Sequence, residues 1–90
     1  LVESYQNDII NIHHFDCYRL SDPEELEYIG IREYSDSGHI QLIEWAELGK
    51  GIIAPADLSI HIAGEDNIRK LSIYTHSEVG KQLSACLGPN

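Results

Sequence analysis

Two carboxylates stand at the ends of apolar, strand-like runs: Asp16 closes His13-His14-Phe15-Asp16, and Glu44 closes Leu42-Ile43-Glu44 ahead of Trp45. In open α/β sheets ligands gather beyond the carboxyl ends of the strands, within reach of a residue placed like Glu44. An Asp or Glu there commonly holds Mg²⁺ directly or through water, because the ion is hard and keeps much of its hydration. The ordinary alternative is a strand-end carboxylate that caps a loop or pairs with Arg19, and spacing alone leaves both open. Trp45 either packs into a core or lies against a nucleotide's base or sugar.

Other chemistry is weaker. His14 and Asp16 share a strand face and suggest a zinc or iron site, but no third ligand stands at a convincing spacing. A packed or hydrogen-bonded His14 is the ordinary reading. A Cys17–His14 nucleophile pair would need two residues that alternation sends to opposite faces. Arg19 suits an ion pair with Asp22 or Glu25, or a phosphate held by two parallel hydrogen bonds. His39, His61 and His76 are scattered and read as surface residues.

The elements that must position these residues follow from pattern. Leu1–Tyr5 reads as a strand, Gln6-Asn7-Asp8 as a turn, and Ile9–Asp16 as the returning strand of a hairpin. On that strand Ile10, Ile12, His14 and Asp16 share one face, and His13 and Phe15 take the other. Asp22-Pro23-Glu24-Glu25 predicts a capped helix start with a capping box, and Gly30 a stop. Ser35–Gly38 is a loop. His39–Trp45, apolar on both faces, fits a central strand of a covered sheet. Ala46–Ala56 is turn-rich. Leu58–Ile62 and Ile68–Tyr74 read as two strands around a Gly64–Asn67 turn, with Leu71 and Ile73 inward. Ser77 caps a closing helix whose Val79, Leu83, Cys86 and Leu87 share a face. The sum is an α/β fold, a mixed sheet with antiparallel hairpins.

Composition narrows the function. Ninety residues at 42% hydrophobic and 23% charged describe one ordered globular domain or part of one. A net charge of −9 opposes direct binding of a nucleic-acid backbone, so any nucleic acid is met through a partner. Two distant cysteines, Cys17 and Cys86, suit free thiols of a reducing compartment. No apolar run has membrane-spanning length. The expectation is a soluble, cytoplasmic chain.

The motifs together resemble one family. His14-Phe15-Asp16-Cys17-Tyr18-Arg19-Leu20, Asp22-Pro23-Glu24-Glu25-Leu26, Gly30 and Leu42-Ile43-Glu44-Trp45 with Glu47 are similar to the TsaE (YjeE) pattern of HFDLYRL, DPEEL, a glycine, and LIEW with a nearby glutamate. Leu1–Tyr5 resembles the end of its SPTFTLV-x-x-Y segment. The likeness spans about Leu1 to Pro55, and Cys17 departs from the usual leucine.

The resemblance implies a cytoplasmic P-loop ATPase that uses ATP and Mg²⁺. It acts with TsaB and TsaD to form threonylcarbamoyladenosine in tRNAs that read ANN codons, touching tRNA only through that complex. Carried over, Glu44 is the Walker-B-like acid at Mg²⁺, and Asp16 acts in ATP turnover through the metal or the attacking water. Trp45 lies near the nucleotide. The family's phosphate loop, GxxGxGKT or close to it, is nowhere in these residues. Residues 1–90 are therefore expected to be a single partial domain, the C-terminal part of such an ATPase and a remnant of its three-layer fold. Two other readings stand beside this one: a catalytically silent module that keeps a partner-docking surface, and an unrelated metal enzyme built on His14 and Asp16.

Overall fold

The computed structural model describes residues 2–35 and 38–87 and divides into two compact units, Leu1–Ala54 and Pro55–Asn90. In the first, β1 (Val2–Gln6) and β2 (Asn11–Asp16) form the expected antiparallel hairpin. The returning strand starts later than Ile9. Asn7 Oδ1 accepts from the backbone N–H of both Ile9 and Ile10 at 2.8 Å. That Asx turn draws the two isoleucines into the bend, where Ile9 is exposed.

Chain reversal after β2 follows the capping chemistry. Asp22 Oδ1 accepts from Glu24 N at 2.9 Å, and Glu25 Oε2 accepts from Asp22 N at 3.2 Å and Ser21 N at 2.8 Å. Asp22 and Glu25 thus satisfy backbone donors reciprocally in the turn that leads into the helix, but the expected capping box is not completed: Glu25 N bonds the Asp22 carbonyl, and Glu24, the N-cap, makes no side-chain cap. Regular helix is limited to α1 (Glu25–Tyr28), and Gly30, at φ 75°, ends it in the left-handed conformation that glycine adopts without a Cβ penalty. A 3₁₀ turn follows at Ile31–Tyr34. Of the expected Ser35–Gly38 loop, residues 36 and 37 lie outside the described residues, as does Leu1 of the first strand.

This crossover returns the chain to β3 (His39–Glu44), which pairs parallel with β2. The sheet order is β1-β2-β3, a mixed α/β arrangement as expected. The position of β3 differs from the expectation. Among the described residues it pairs on one side only, and Ile40 and Leu42 are exposed. Its apolar residues on both faces suited a covered central strand, but the helices of this unit cover one face of the sheet. There Phe15, Cys17, Leu26 and Ile31 form the core, ringed by Val2, Leu20, Ile29, Tyr34, Ile43, Ile52 and Ile53. Gln41 Nε2 ties β3 to the crossover by donating to the carbonyls of Ile31 at 3.1 Å and Tyr34 at 3.0 Å.

His13 belongs to the same covered face. Its ring stacks on Tyr34 with centroids 3.9 Å apart, Nδ1 meets Ser4 Oγ at 2.8 Å, and Nε2 meets His39 Nδ1 at 2.8 Å. His39 is therefore half-buried in a hydrogen-bonded chain, not a free surface residue. His61 and His76 are exposed, and His76 Nε2 pairs with Ser59 Oγ.

In the second unit β4 (Leu58–Glu65) and β5 (Ile68–Thr75) form an antiparallel hairpin around Asp66, and α2 (Glu78–Cys86) follows. Ser77 caps α2 as expected, its Oγ accepting from Gly80 N at 3.0 Å and donating to Asp57 Oδ1 at 2.6 Å. The helix sits on Asp57 through Gly80, where any Cβ would overlap the Asp57 carbonyl. The expected inward face is not buried: Leu71 and Ile73, with their cross-strand partners Ile62 and Ile60, are exposed, as are Val79, Leu83 and Leu87. Two strands and one helix cannot enclose both apolar faces. Both cysteines are free thiols, Cys17 buried and Cys86 exposed. No helix among the described residues is long and apolar enough to cross a membrane.

Two outcomes follow. Phe15→Ala, which empties the centre of the first unit's core, lowers the unfolding free energy by about 3–5 kcal/mol in urea titrations followed by Trp45 fluorescence. A loss under about 1 kcal/mol would show that the core lies elsewhere. Burial first, and the neighbouring His39 second, hold the His13 pKa below its ordinary 6.5. The unfolded chain then binds more protons than the folded one, so this stability is complete above 6.5 and declines as pH falls below it. Between about pH 7 and pH 5, wild type loses more stability than His13→Gln; parallel pH profiles would refute the assignment.

Candidate functional site

The parallel register sets Asp16 directly beside Glu44 at the carboxyl ends of β2 and β3. Register partners in a sheet point to the same face. Phe15 and Ile43, one residue earlier on each strand, turn toward the core, so Asp16 and Glu44 share the opposite, exposed face. The two acids singled out by type and spacing are brought together.

Each is held locally. Asp16 Oδ1 accepts from Tyr18 N at 3.0 Å, an Asx turn that bends the chain out of β2. Cys17 N donates to the Glu44 carbonyl at 3.0 Å, extending the strand pairing past the acids. Glu44 Oε2 lies 3.0 Å from His14 Nε2, which stands two residues before Asp16 on the same face. A carboxylate only accepts, so Nε2 carries the proton of that bond. His14 is thus engaged with an acid, as its ordinary reading expected, and among the described residues no group of three His, Cys, Asp or Glu side chains could hold a metal ion. The zinc or iron reading built on His14 and Asp16 lacks its third ligand.

Trp45 is half-exposed rather than core, and its backbone is left-handed at φ 58°, ψ 42°. For a residue other than glycine this conformation costs on the order of 1–3 kcal/mol and is concentrated at functional sites. It turns the chain from the end of β3 into a 3₁₀ turn at Ala46–Gly49, which carries Glu47. The indole lies 5.0 Å from the Tyr18 ring at 49°, so two exposed aromatic rings stand beside the acids. Sequence reading missed Tyr18; its spacing of two from Asp16 was the available signal.

Two expectations come out differently. Arg19 makes no ion pair among the described residues; the Arg pair that forms is Arg32–Glu27 at 2.8 Å. Cys17 is buried, and burial first, then the charges of Asp16 and Glu47, push its thiol pKa up. A protonated, enclosed sulfur is no nucleophile.

The donor set suits Mg²⁺ better than a softer metal. Two adjacent carboxylates offer hard oxygens, and Mg²⁺ takes one or two of these and completes its shell with water and phosphate oxygens.

The family model described as "Threonylcarbamoyl adenosine biosynthesis protein TsaE" matches residues 1–71. A protein of Haemophilus influenzae named "tRNA threonylcarbamoyladenosine biosynthesis protein TsaE" is 45% identical over 83 residues, covering 92% of this chain and 52% of that protein. A Rickettsia conorii protein of the same name is 33% identical over 88 residues, with 97% and 50% covered. One from Bacillus subtilis is 32% identical over 68 residues, with 73% and 42% covered. The chain spans about half the length of the curated relatives it matches.

Proposed function

The chain belongs to the TsaE family, and on that premise we propose that residues 1–90 contribute to an ATPase domain serving threonylcarbamoyladenosine formation in tRNA. Its cofactors are ATP and Mg²⁺, its partners TsaB and TsaD, its tRNA contact indirect and its compartment the cytoplasm. The observation that carries the reading is the pairing of Asp16 with Glu44 on one exposed face at the ends of two parallel strands. That is where α/β sheets take ligands.

In this reading Glu44 would hold Mg²⁺ directly or through a water. Asp16, one strand away, orients the attacking water or a water of the metal shell. Bound there, the ion would supply positive charge to offset that of the phosphates. Trp45, half-exposed, would offer its indole face to the nucleotide beside the acids. Phosphoryl transfer is catalysed almost wholly by positioning and charge stabilisation, so rigid placement of two carboxylates is the contribution this segment makes. The phosphates themselves need a backbone cradle of the GxxxxGK[ST] kind, and these 90 residues contain no such run.

Two measurements test this. In the protein expressed from its complete reading frame, Glu44→Gln lowers kcat for ATP hydrolysis on the order of 100-fold with the melting temperature unchanged. Wild-type turnover in that variant would remove Glu44 from the chemistry. The 90-residue chain alone shows no micromolar ATP site by calorimetry. Tight binding by the chain alone would mean that phosphate is held by residues other than a glycine-rich loop.

A further inference from the structure

His14 is not a member of the acid pair, yet the structure gives it a defined part. In the parallel register His14 stands opposite Leu42, one face-sharing step behind the Asp16–Glu44 pair. That step is about 6.6 Å along a strand. Glu44 therefore reaches back over the sheet to place Oε2 at 3.0 Å from His14 Nε2, instead of extending into solvent. Its side chain is otherwise loosely held, being 61% exposed. A glutamate has three rotatable bonds, and fixing it costs conformational entropy that a standing hydrogen bond supplies in advance.

The bond also divides the carboxylate. Oε2 is occupied by an N–H, and Oε1 has no hydrogen-bond partner among the described residues. One oxygen anchors the group and the other is left for a ligand. This is the arrangement by which outer hydrogen-bond donors orient metal-binding carboxylates. His14 in turn is bounded on the same face by Glu3, its register partner on β1. Glu3 is itself engaged, accepting from the Tyr5 hydroxyl at 2.6 Å. The ring thus has one directed partner, Glu44.

We propose that His14 is a positioning residue: its Nε2–H holds the Glu44 carboxylate in the orientation that presents Oε1 to a divalent cation or its bound water. The proposal rests on the reading of Glu44 as a cation-binding acid, and it concerns the orientation of that acid, not a direct bond between His14 and the ion.

The test uses the protein expressed from its complete reading frame and Mn²⁺ alone as probe, its binding followed by loss of the free-ion electron paramagnetic resonance signal. His14→Ala weakens Mn²⁺ binding about tenfold, within the range for loss of a supporting hydrogen bond at a metal carboxylate. His14→Gln, whose amide N–H can occupy the place of Nε2–H, restores binding to within about twofold of wild type, whereas His14→Asn does not reach that place and stays weak. The melting temperatures of the three variants agree with wild type. The double variant His14→Ala/Glu44→Ala binds no more weakly than Glu44→Ala, because His14 acts through Glu44. If Glu44→Ala weakens binding but His14→Ala matches wild type, the positioning role is wrong and the acid's role stands. If the two losses simply add, His14 acts independently of Glu44 and the proposal falls. If Glu44→Ala binds Mn²⁺ as wild type does, the reading of the acid fails and the positioning role goes with it.

Discussion

Parallel pairing of β2 with β3 is the constraint from which the candidate site derives its geometry. A slip of one residue would turn every β3 side chain to the opposite face, carrying Glu44 away from Asp16 and Ile43 out of the core. The register is held from the apolar side: Phe15 lies opposite Ile43 against Leu26 and Ile31, and Gln41 is anchored to two carbonyls of the crossover. Burial of one face thus aligns the charges on the other. The chemistry of the exposed side depends on hydrophobic contacts it never touches.

The adjacent histidines show how completely the pleat separates the two environments. His13 is stacked on Tyr34 and joined to Ser4 and His39 within the covered layer. His14, one residue on, faces the acids and bonds Glu44. The first belongs to the stability of the unit, with a neutral ring favoured by burial. The second belongs to the candidate site. Identical side chains, neighbours in the chain, acquire unrelated roles from a period of two.

Backbone constraint adds a second layer of placement. Asp16 bends the chain through its bond to Tyr18 N, and Trp45 reverses direction in a left-handed conformation immediately after Glu44. The two departures bring Tyr18 and Trp45 into ring contact beside the carboxylates. Strain at Trp45 is sustained because β3 before it and the Ala46–Gly49 turn after it are both hydrogen-bonded.

Much of this was legible from residue order because it is local. The reciprocal bonds of Asp22 and Glu25, the stop at Gly30, the Ser77 cap and the alternation that puts Phe15 opposite in facing to Asp16 each depend on neighbours a few positions away. Partners that come from distant segments were not legible. His39 joining His13, Glu44 turning back to His14, Arg19 left without its expected acid, and the exposure of Ile40, Leu42, Leu71 and Ile73 all depend on which elements meet in space. By itself the chain's order determined the elements, the two acids and the family pattern, since propensity, capping and side-chain period are written within single segments. Tertiary structure alone decided that Asp16 and Glu44 stand side by side, because a strand register is chosen by the burial of its other face.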